Sequence, residues 1–259
     1  MRAIYMIFRR EFAAYLRSIM GWIVVGVALL AMGITFQAFG YKSALASEML
    51  QQFFWSSSGV VMIISVILSF RVIAEERQSG SLMLLSTSPV REHAIVIGKF
   101  LATLAFLTVI LLLSAYIPLL IKGQGKITGA QIFIGYLGLW LLGGACLAVG
   151  VFASSLTREM VIAAVVAAII VGGMVLLYKL SLVLDPPLRA VFAELDLWWI
   201  HFQNGFMRGI FNLKDLIYYL AMIYFFLLLA VKTLEAKRWQ CTLPPSCGSG
   251  CRCSCRWRS

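Results

Sequence analysis

The sequence predicts an all-α integral membrane protein with six transmembrane helices. Of its 259 residues 61% are hydrophobic and only 13% are charged, whereas a soluble domain has about 25% charged residues. Six uncharged stretches also approach or exceed the ~20 apolar residues that a helix needs to cross a bilayer. The alternating apolar and polar strands of a membrane β-barrel are absent from the sequence. Helices are therefore the structure that satisfies these backbones in lipid.

The predicted spans follow the uncharged stretches. They cover about residues 18–41, 52–72, 98–121, 131–153, 160–179 and 214–232. The last uncharged run has only 16 residues, so we expect Asp215 and Lys232 to reach the membrane surface at its two ends. Between the fifth and sixth spans, residues 197–207 are apolar but too few to span, which predicts outer interfacial or re-entrant helices.

The two ends of the chain differ from the six-span part, residues 18–239. Residues 1–17 predict an amphipathic interfacial helix whose apolar face includes Phe12, with Arg9 and Arg10 off that face. The alternative is that they are only the charged start of the first span. Residues 240–259 are rich in Cys and Arg, which predicts a disordered tail or an altered reading frame. Its cysteines lack the paired Cys-x2-Cys spacing of structural zinc sites, so we predict no metal site there.

The basic residues predict the orientation. With both termini on one side, 15 of the 22 Lys and Arg residues lie on that side and 7 on the other. Positive charge gathers in cytoplasmic loops of membrane proteins. Both termini are therefore expected in the cytoplasm, and the net charge of +11 does not indicate nucleic-acid binding.

The cytoplasmic segment Arg71–Lys99 joins the second and third spans and is far longer than a simple turn requires. It opens with charged residues, and Gly80 then precedes a short apolar helix predicted over Ser81–Ser86. Pro89 closes that helix, because a proline restricts the preceding residue to extended geometry. A long loop with its own helix predicts a docking surface, although a solvated charged loop is the alternative.

Catalytic and cofactor-binding motifs are missing from the sequence. The two histidines, His93 and His201, stand alone, and we expect His201 to be a surface group. The phosphate-binding Gly-x4-Gly-Lys-Ser/Thr loop is also absent, since Phe100 follows Gly98-Lys99. No ionisable residue is central in any span, which argues against an ion-driven transporter or an intramembrane enzyme.

The cytoplasmic segment resembles that of the ABC-2 type permeases, the membrane subunits of ABC exporters. The residues that carry the resemblance read FRVIAEERQSGSL over 70–82, LLSTSPV over 84–90 and GKF over 98–100. The Ser154–Arg158 loop and the pairs His201-Phe202 and Arg208-Gly209 are similar to the branch of gliding-motility and copper-enzyme-maturation permeases. The likeness extends over nearly all of residues 1–240.

The resemblance implies a permease subunit in a bacterial inner membrane that pairs with a second copy or a paralogue, surrounded by membrane lipid. A separate ABC ATPase would carry the ATP and Mg, with no cofactor on this chain. The residues implied in ATPase docking and coupling are Glu75, Glu76, Arg77, Gly80, Ser81, Leu82, Leu84, Leu85, Pro89 and Arg91, braced by Arg9, Arg10 and Phe12. The alternative function is a membrane scaffold that anchors an ATPase complex without moving a solute.

Overall fold

The structure, a computed structural model, describes residues 2–39, 46–78, 92–124, 127–157, 159–182 and 194–239. Most of these residues are helical, and no β-strand occurs among them. The α-helices are α1 (Arg2–Arg17), α2 (Ile19–Phe39), α3 (Ala46–Gln78), α4 (Glu92–Ser114), α5 (Tyr116–Gln124), α6 (Gly129–Leu156), α7 (Met160–Ser181) and α8 (Leu213–Trp239). A π-helix (Trp199–Gln203) and a 3₁₀-helix (Phe206–Arg208) lie between α7 and α8.

Six stretches of the described chain are long and apolar enough to cross a membrane. They are α2, α3, the consecutive pair α4 and α5, then α6, α7 and α8. The third is broken at Ala115, because Pro118 has no N–H to donate to the carbonyl of Ser114. The chain is a multi-pass helical membrane protein, as the sequence predicts. The division into an interfacial helix, a six-span domain and a tail stays a prediction.

Helix α6 is the centre of the bundle and contacts α3, α4, α7 and α8. Glycines let its neighbours approach closely: a Cβ on Gly143 would lie 2.9 Å from Val61 Cγ1 of α3, and one on Gly150 would overlap the side chain of Ser69. Small residues are expected at such contacts, since association of helices in lipid depends on close packing. Gly172 in α7 differs from these two, because a Cβ there would meet no atom of the described chain.

Helices α2 and α7 lie at the outside of the bundle. Each carries a row of exposed large apolar side chains, such as Trp22 and Leu30 on α2 and Val161 and Ile169 on α7. A soluble protein rarely exposes apolar patches of this extent. These faces are therefore suited to contact with lipid tails or with another membrane helix.

The joining segment after the second span is shorter than the sequence predicts. Helix α3 continues to Gln78 and α4 already begins at Glu92, so residues 73–78 and 92–97, which lie between the predicted spans 52–72 and 98–121, are helical. The reason is local: residues 71–78 contain no Gly or Pro and include Ala, Glu, Arg and Gln, which favour helices. The spanning helix thus extends beyond its apolar part into the charged cluster.

Candidate functional site

Helix α1 packs closely against the start of α4. The contact depends on Gly98, since a Cβ at that position would lie 3.0 Å from Ile7 Cγ2 and 3.3 Å from the carbonyl oxygen of Ile4. Further along, the rings of Tyr15 and Phe106 stack with their centroids 5.2 Å apart. The two helices therefore touch over more than two turns of α1, directly after the segment that joins α3 to α4.

A buried ion pair joins the same two helices. Lys99 Nζ of α4 lies 3.7 Å from Glu11 Oε1 of α1, and the Lys99 side chain is only 5% exposed. Arg10 Nη2 also lies 3.3 Å from that Glu11 oxygen but is mostly exposed. A lysine so buried is costly unless its charge is compensated, and the Glu11 carboxylate is a compensating partner. The pair favours the docked position of α1 on α4.

The predicted bracing residues lie on α1 itself. Arg9 and Arg10 are exposed, while Phe12 is half-buried, packs against the core and stacks on Phe8 with a centroid separation of 5.7 Å. The apolar face of α1 is thus turned toward α4, and Arg9 and Arg10 are exposed to the surroundings. Whether α1 lies in a membrane interface stays a prediction.

The predicted coupling residues are split between the end of α3 and the chain beyond it. The backbone of Glu75, Glu76 and Arg77 belongs to the last turns of α3, but their side chains lie outside the described part. Seven further residues lie outside the described ranges altogether: Gly80, Ser81, Leu82, Leu84, Leu85, Pro89 and Arg91. The predicted short helix over Ser81–Ser86 falls there too, so the docking assignments stay predictions.

A second cluster of polar side chains is buried between residues 194–212, which we call the connector, and α8. His201 Nδ1 lies 2.7 Å from Asp215 Oδ1, and His201 Nε2 lies 3.2 Å from the carbonyl oxygen of Glu194. One sequence expectation is wrong here: His201 is buried rather than a surface group, and its partner Asp215 is buried as well. The reason is that the connector folds back onto α8 and brings the two side chains together.

The hydrogen-bond partners of His201 constrain its protonation. A carbonyl oxygen only accepts, so Nε2 carries a proton toward Glu194. The contact between Nδ1 and Asp215 then needs one more proton, which lies either on the imidazole, giving an ion pair, or on the carboxyl group. The ring of Tyr218 stacks on the imidazole with a centroid separation of 3.9 Å. This arrangement orders the connector against α8.

Asp196 holds the turn that starts the connector helices. Its Oδ2 accepts hydrogen bonds from the backbone N–H groups of Trp198 at 3.1 Å and Ile200 at 2.9 Å. Burial raises the pKa of the Asp196 carboxyl, while these backbone hydrogen bonds act in the opposite direction. The indole N–H of Trp198 donates to Ser58 Oγ of α3 at 2.8 Å, which fixes the connector to the bundle.

Sequence reasoning missed both buried pairs. Glu11 and Lys99 are 88 positions apart, and nothing in their local sequence marks them as partners. His201 and Asp215 are only 14 positions apart, yet the connector between them has no regular period to show that it turns back. Within the described ranges, His, Cys, Asp and Glu side chains do not come together in threes, as a metal site requires.

Comparison with known proteins identifies the family. The family model for an ABC-2 family transporter protein matches residues 7–177, about two thirds of the chain. The match runs from α1 through most of α7 and includes Glu11, Gly98 and Lys99, whereas the connector and α8 lie outside it. No curated protein gives a significant match. The chain belongs to the ABC-2 family of transporter membrane proteins.

Proposed function

We propose that this chain is the permease subunit of an ATP-driven ABC exporter and that a separate ATPase subunit docks on residues 75–91. The observation that best supports the proposal is the buried pair of Lys99 and Glu11, because it fastens α1 to α4 eight residues after that docking segment. A displacement of the docking segment is then transmitted to α1 and α4 together. ATP and Mg are held by the partner, since this chain has no phosphate-binding loop.

Movement of the docking segment would be transmitted mechanically through the helices that it joins. The docking segment connects α3 directly to α4, so closure of two ATPase subunits around ATP tilts both helices. Helix α3 packs along α6 at the centre of the bundle, and tightly packed helices respond as units because cores are not continuously deformable. Nucleotide-driven closure at one membrane face therefore changes access at the other.

The substrate path is proposed to lie between two copies of the chain, or between this chain and a paralogue. The exposed faces of α2 and α7 are apolar, which suits contact between copies and an amphipathic, lipid-like or polymeric cargo better than a small ion. Both termini are proposed to lie in the cytoplasm of a bacterial cell, with the protein in its inner membrane. The positive-charge bias supports this orientation.

Glu75 and Glu76 are proposed to form a charge latch at the inner mouth of the path. They occupy the last turns of α3, where the docking segment begins, and Arg77, Arg9 and Arg10 are the candidate partners. A carboxylate paired there in one state of the transporter and released in the other would favour one conformation over the other. Replacing both glutamates with glutamine removes the charge and keeps the length of the side chains.

Reconstitution of the complex with its ATPase into vesicles tests this function. The wild-type complex is expected to move an amphipathic reporter lipid across the membrane in the presence of MgATP and not of ADP. The Glu75→Gln/Glu76→Gln complex should assemble and hydrolyse ATP but lose transport. Full transport by this variant would remove the latch from the account. A wild-type complex that hydrolyses ATP and moves no reporter, whether amphipathic or polymeric, would favour the scaffold instead.

A further inference from the structure

An apolar groove opens at the surface where α1, α4 and α6 meet. Its volume is about 540 Å³, within the ~300–1,000 Å³ of typical small-molecule sites. Helix α1 contributes Ile4, Tyr5 and Phe8, α4 contributes Leu101 and Ala105, and α6 contributes Trp140. The groove borders the docked α1 and is distinct from the Lys99–Glu11 pair.

The polar groups at the inner wall of the groove are already paired with each other. The indole N–H of Trp140 donates to Thr108 Oγ1 at 3.0 Å, and the Thr108 hydroxyl donates to the carbonyl oxygen of Leu104 at 2.8 Å. These groups are therefore satisfied and do not call for a polar ligand in the interior. The remaining surface is apolar, which suits a hydrocarbon chain.

The rim of the groove carries a cation with no ion-pair partner among the described residues. Arg9 lies one turn after Tyr5 on α1, is exposed and makes no ion pair in the described part of the chain. Its neighbour Arg10 differs, because it contacts Glu11. Residues four apart share one side of a helix, so Arg9 lies beside the groove at Tyr5. The site thus combines an apolar interior with a positive rim.

We propose that this groove binds one acyl chain of an anionic phospholipid, whose headgroup phosphate pairs with Arg9. The protein lies in a membrane, and the groove opens to the surroundings, since Tyr5 is 64% and Leu101 39% exposed. A lipid tail gains little hydrophobic free energy on moving from the bilayer into an apolar groove, because both surroundings are apolar. Retention of one lipid therefore depends on shape and on the Arg9 contact.

The bound lipid stabilises the docked position of α1. The lipid chain touches α1, α4 and α6 at once. An empty groove would leave the apolar surfaces of all three helices without this shared contact. This inference requires only that the chain lies in a membrane, and it holds whether or not an ATPase docks on residues 75–91. A negative result in the transport assay would therefore not affect the lipid-binding proposal. Absence of lipid binding would likewise not affect the proposed transport function.

Native mass spectrometry of the full chain in a non-ionic detergent tests the proposal with palmitoyl-oleoyl phosphatidylglycerol as the probe. The wild type is expected to retain one such lipid more tightly than the phosphatidylcholine with the same chains. Arg9→Gln should weaken phosphatidylglycerol binding about fivefold, as expected for one basic residue near an anionic headgroup. Ala105→Phe should fill the groove and abolish retention, and Ala105→Leu should weaken it.

The matched control is Arg17→Gln, which removes an exposed cation from the same helix away from the groove. It is expected to bind the lipid as the wild type does. Equal losses in Arg9→Gln and Arg17→Gln would overturn the proposal, because they would indicate general attraction to a basic helix. Unchanged retention in both Ala105 variants, with wild-type helix content by circular dichroism, would overturn it too. If those variants instead convert a dimer to a monomer, the occupant is a second copy and the lipid assignment is wrong.

Discussion

Lys99 Nζ lies 3.7 Å from Glu11 Oε1, and this contact ties the N-terminal helix to the third spanning helix close to the point where that helix begins. The Lys99 side chain is 5% exposed and that of Glu11 is 20% exposed. Because both charged groups are largely removed from water, solvent cannot easily take the place of one partner when that partner is lost. Helix α1 is therefore expected to move with α4 rather than independently of it.

The Glu11–Lys99 contact is expected to contribute a coupling free energy of about 1–3 kcal/mol in a double-mutant cycle. Glu11→Gln, Lys99→Met and the double variant would be compared by thermal unfolding in detergent. Each single variant should lower Tm, because it leaves a largely buried charge with fewer partners. The double variant should lower Tm by less than the sum of the two single decreases.

Lys232→Met, which breaks the exposed pair with Glu235, serves as the control. Strict additivity of the first two variants would contradict the pair.

Asp215→Asn is expected to destabilise the protein by about 1–3 kcal/mol, because it disrupts the buried hydrogen bond between His201 and its acidic partner. The neighbouring substitution Lys214→Gln changes an exposed residue and should leave Tm unchanged. Thermal unfolding monitored by tryptophan fluorescence suits this test, since Trp198 and Trp199 lie in the connector that His201 holds. Equal Tm values for the two variants would show that the His201–Asp215 contact contributes nothing to stability.

Gly150→Ala is expected to destabilise the bundle by about 1–3 kcal/mol, as overpacking does in tightly packed interiors. The added methyl group would overlap the Ser69 side chain of α3 and force α3 and α6 apart. Gly172→Ala is the matched control, because a Cβ there meets no atom of the described chain. The same Tm for both variants would argue that the contact between α3 and α6 is looser than the structure shows. A lower Tm for Gly172→Ala alone would indicate a partner packed on α7.

The orientation is tested by labelling single cysteines with a membrane-impermeant maleimide in intact cells. Leu45→Cys and Gly125→Cys are expected to react and Ser79→Cys is not, because both termini are predicted to be cytoplasmic. All three positions lie outside the described residues. The background must lack the six native cysteines, and Ser79→Cys should react once the cells are permeabilised. Reaction of Ser79→Cys in intact cells would contradict the predicted topology.

The six spanning helices could be predicted because lipid imposes a simple rule on composition. A helix in the hydrocarbon core must be apolar on all sides, so the uncharged stretches locate the spans without any knowledge of packing. The same rule fails at span ends, where polar residues continue the helix. Residues 73–78 illustrate this failure, since they continue α3 although four of the six are charged or polar.

Contacts between distant charged residues could not be predicted for a different reason. Lys99 and Asp215 look like ordinary charged residues at the ends of spans, where such groups usually reach water. Only the position of α1 across α4, and of the connector against α8, shows that each is buried beside an opposite charge. The family resemblance predicts the docking segment but gives no sign of either pair, because it depends on matched residues and not on their contacts.

An ATPase is proposed to dock on residues 75–91, and this docking is tested by purification of the tagged chain from its native membrane. The measurement is vanadate-sensitive ATP hydrolysis that co-purifies with the wild type and with Leu84→Asp/Leu85→Asp. Burial of an unpaired carboxylate costs at least ~3 kcal/mol, so association should fall about 100-fold or more. Ser86→Asp/Thr87→Asp adds the same charge but keeps both leucines, and it should retain more ATPase. Hydrolysis is expected with the wild type, and almost none with the leucine variant. Equal hydrolysis with both, or none with the wild type, would contradict it.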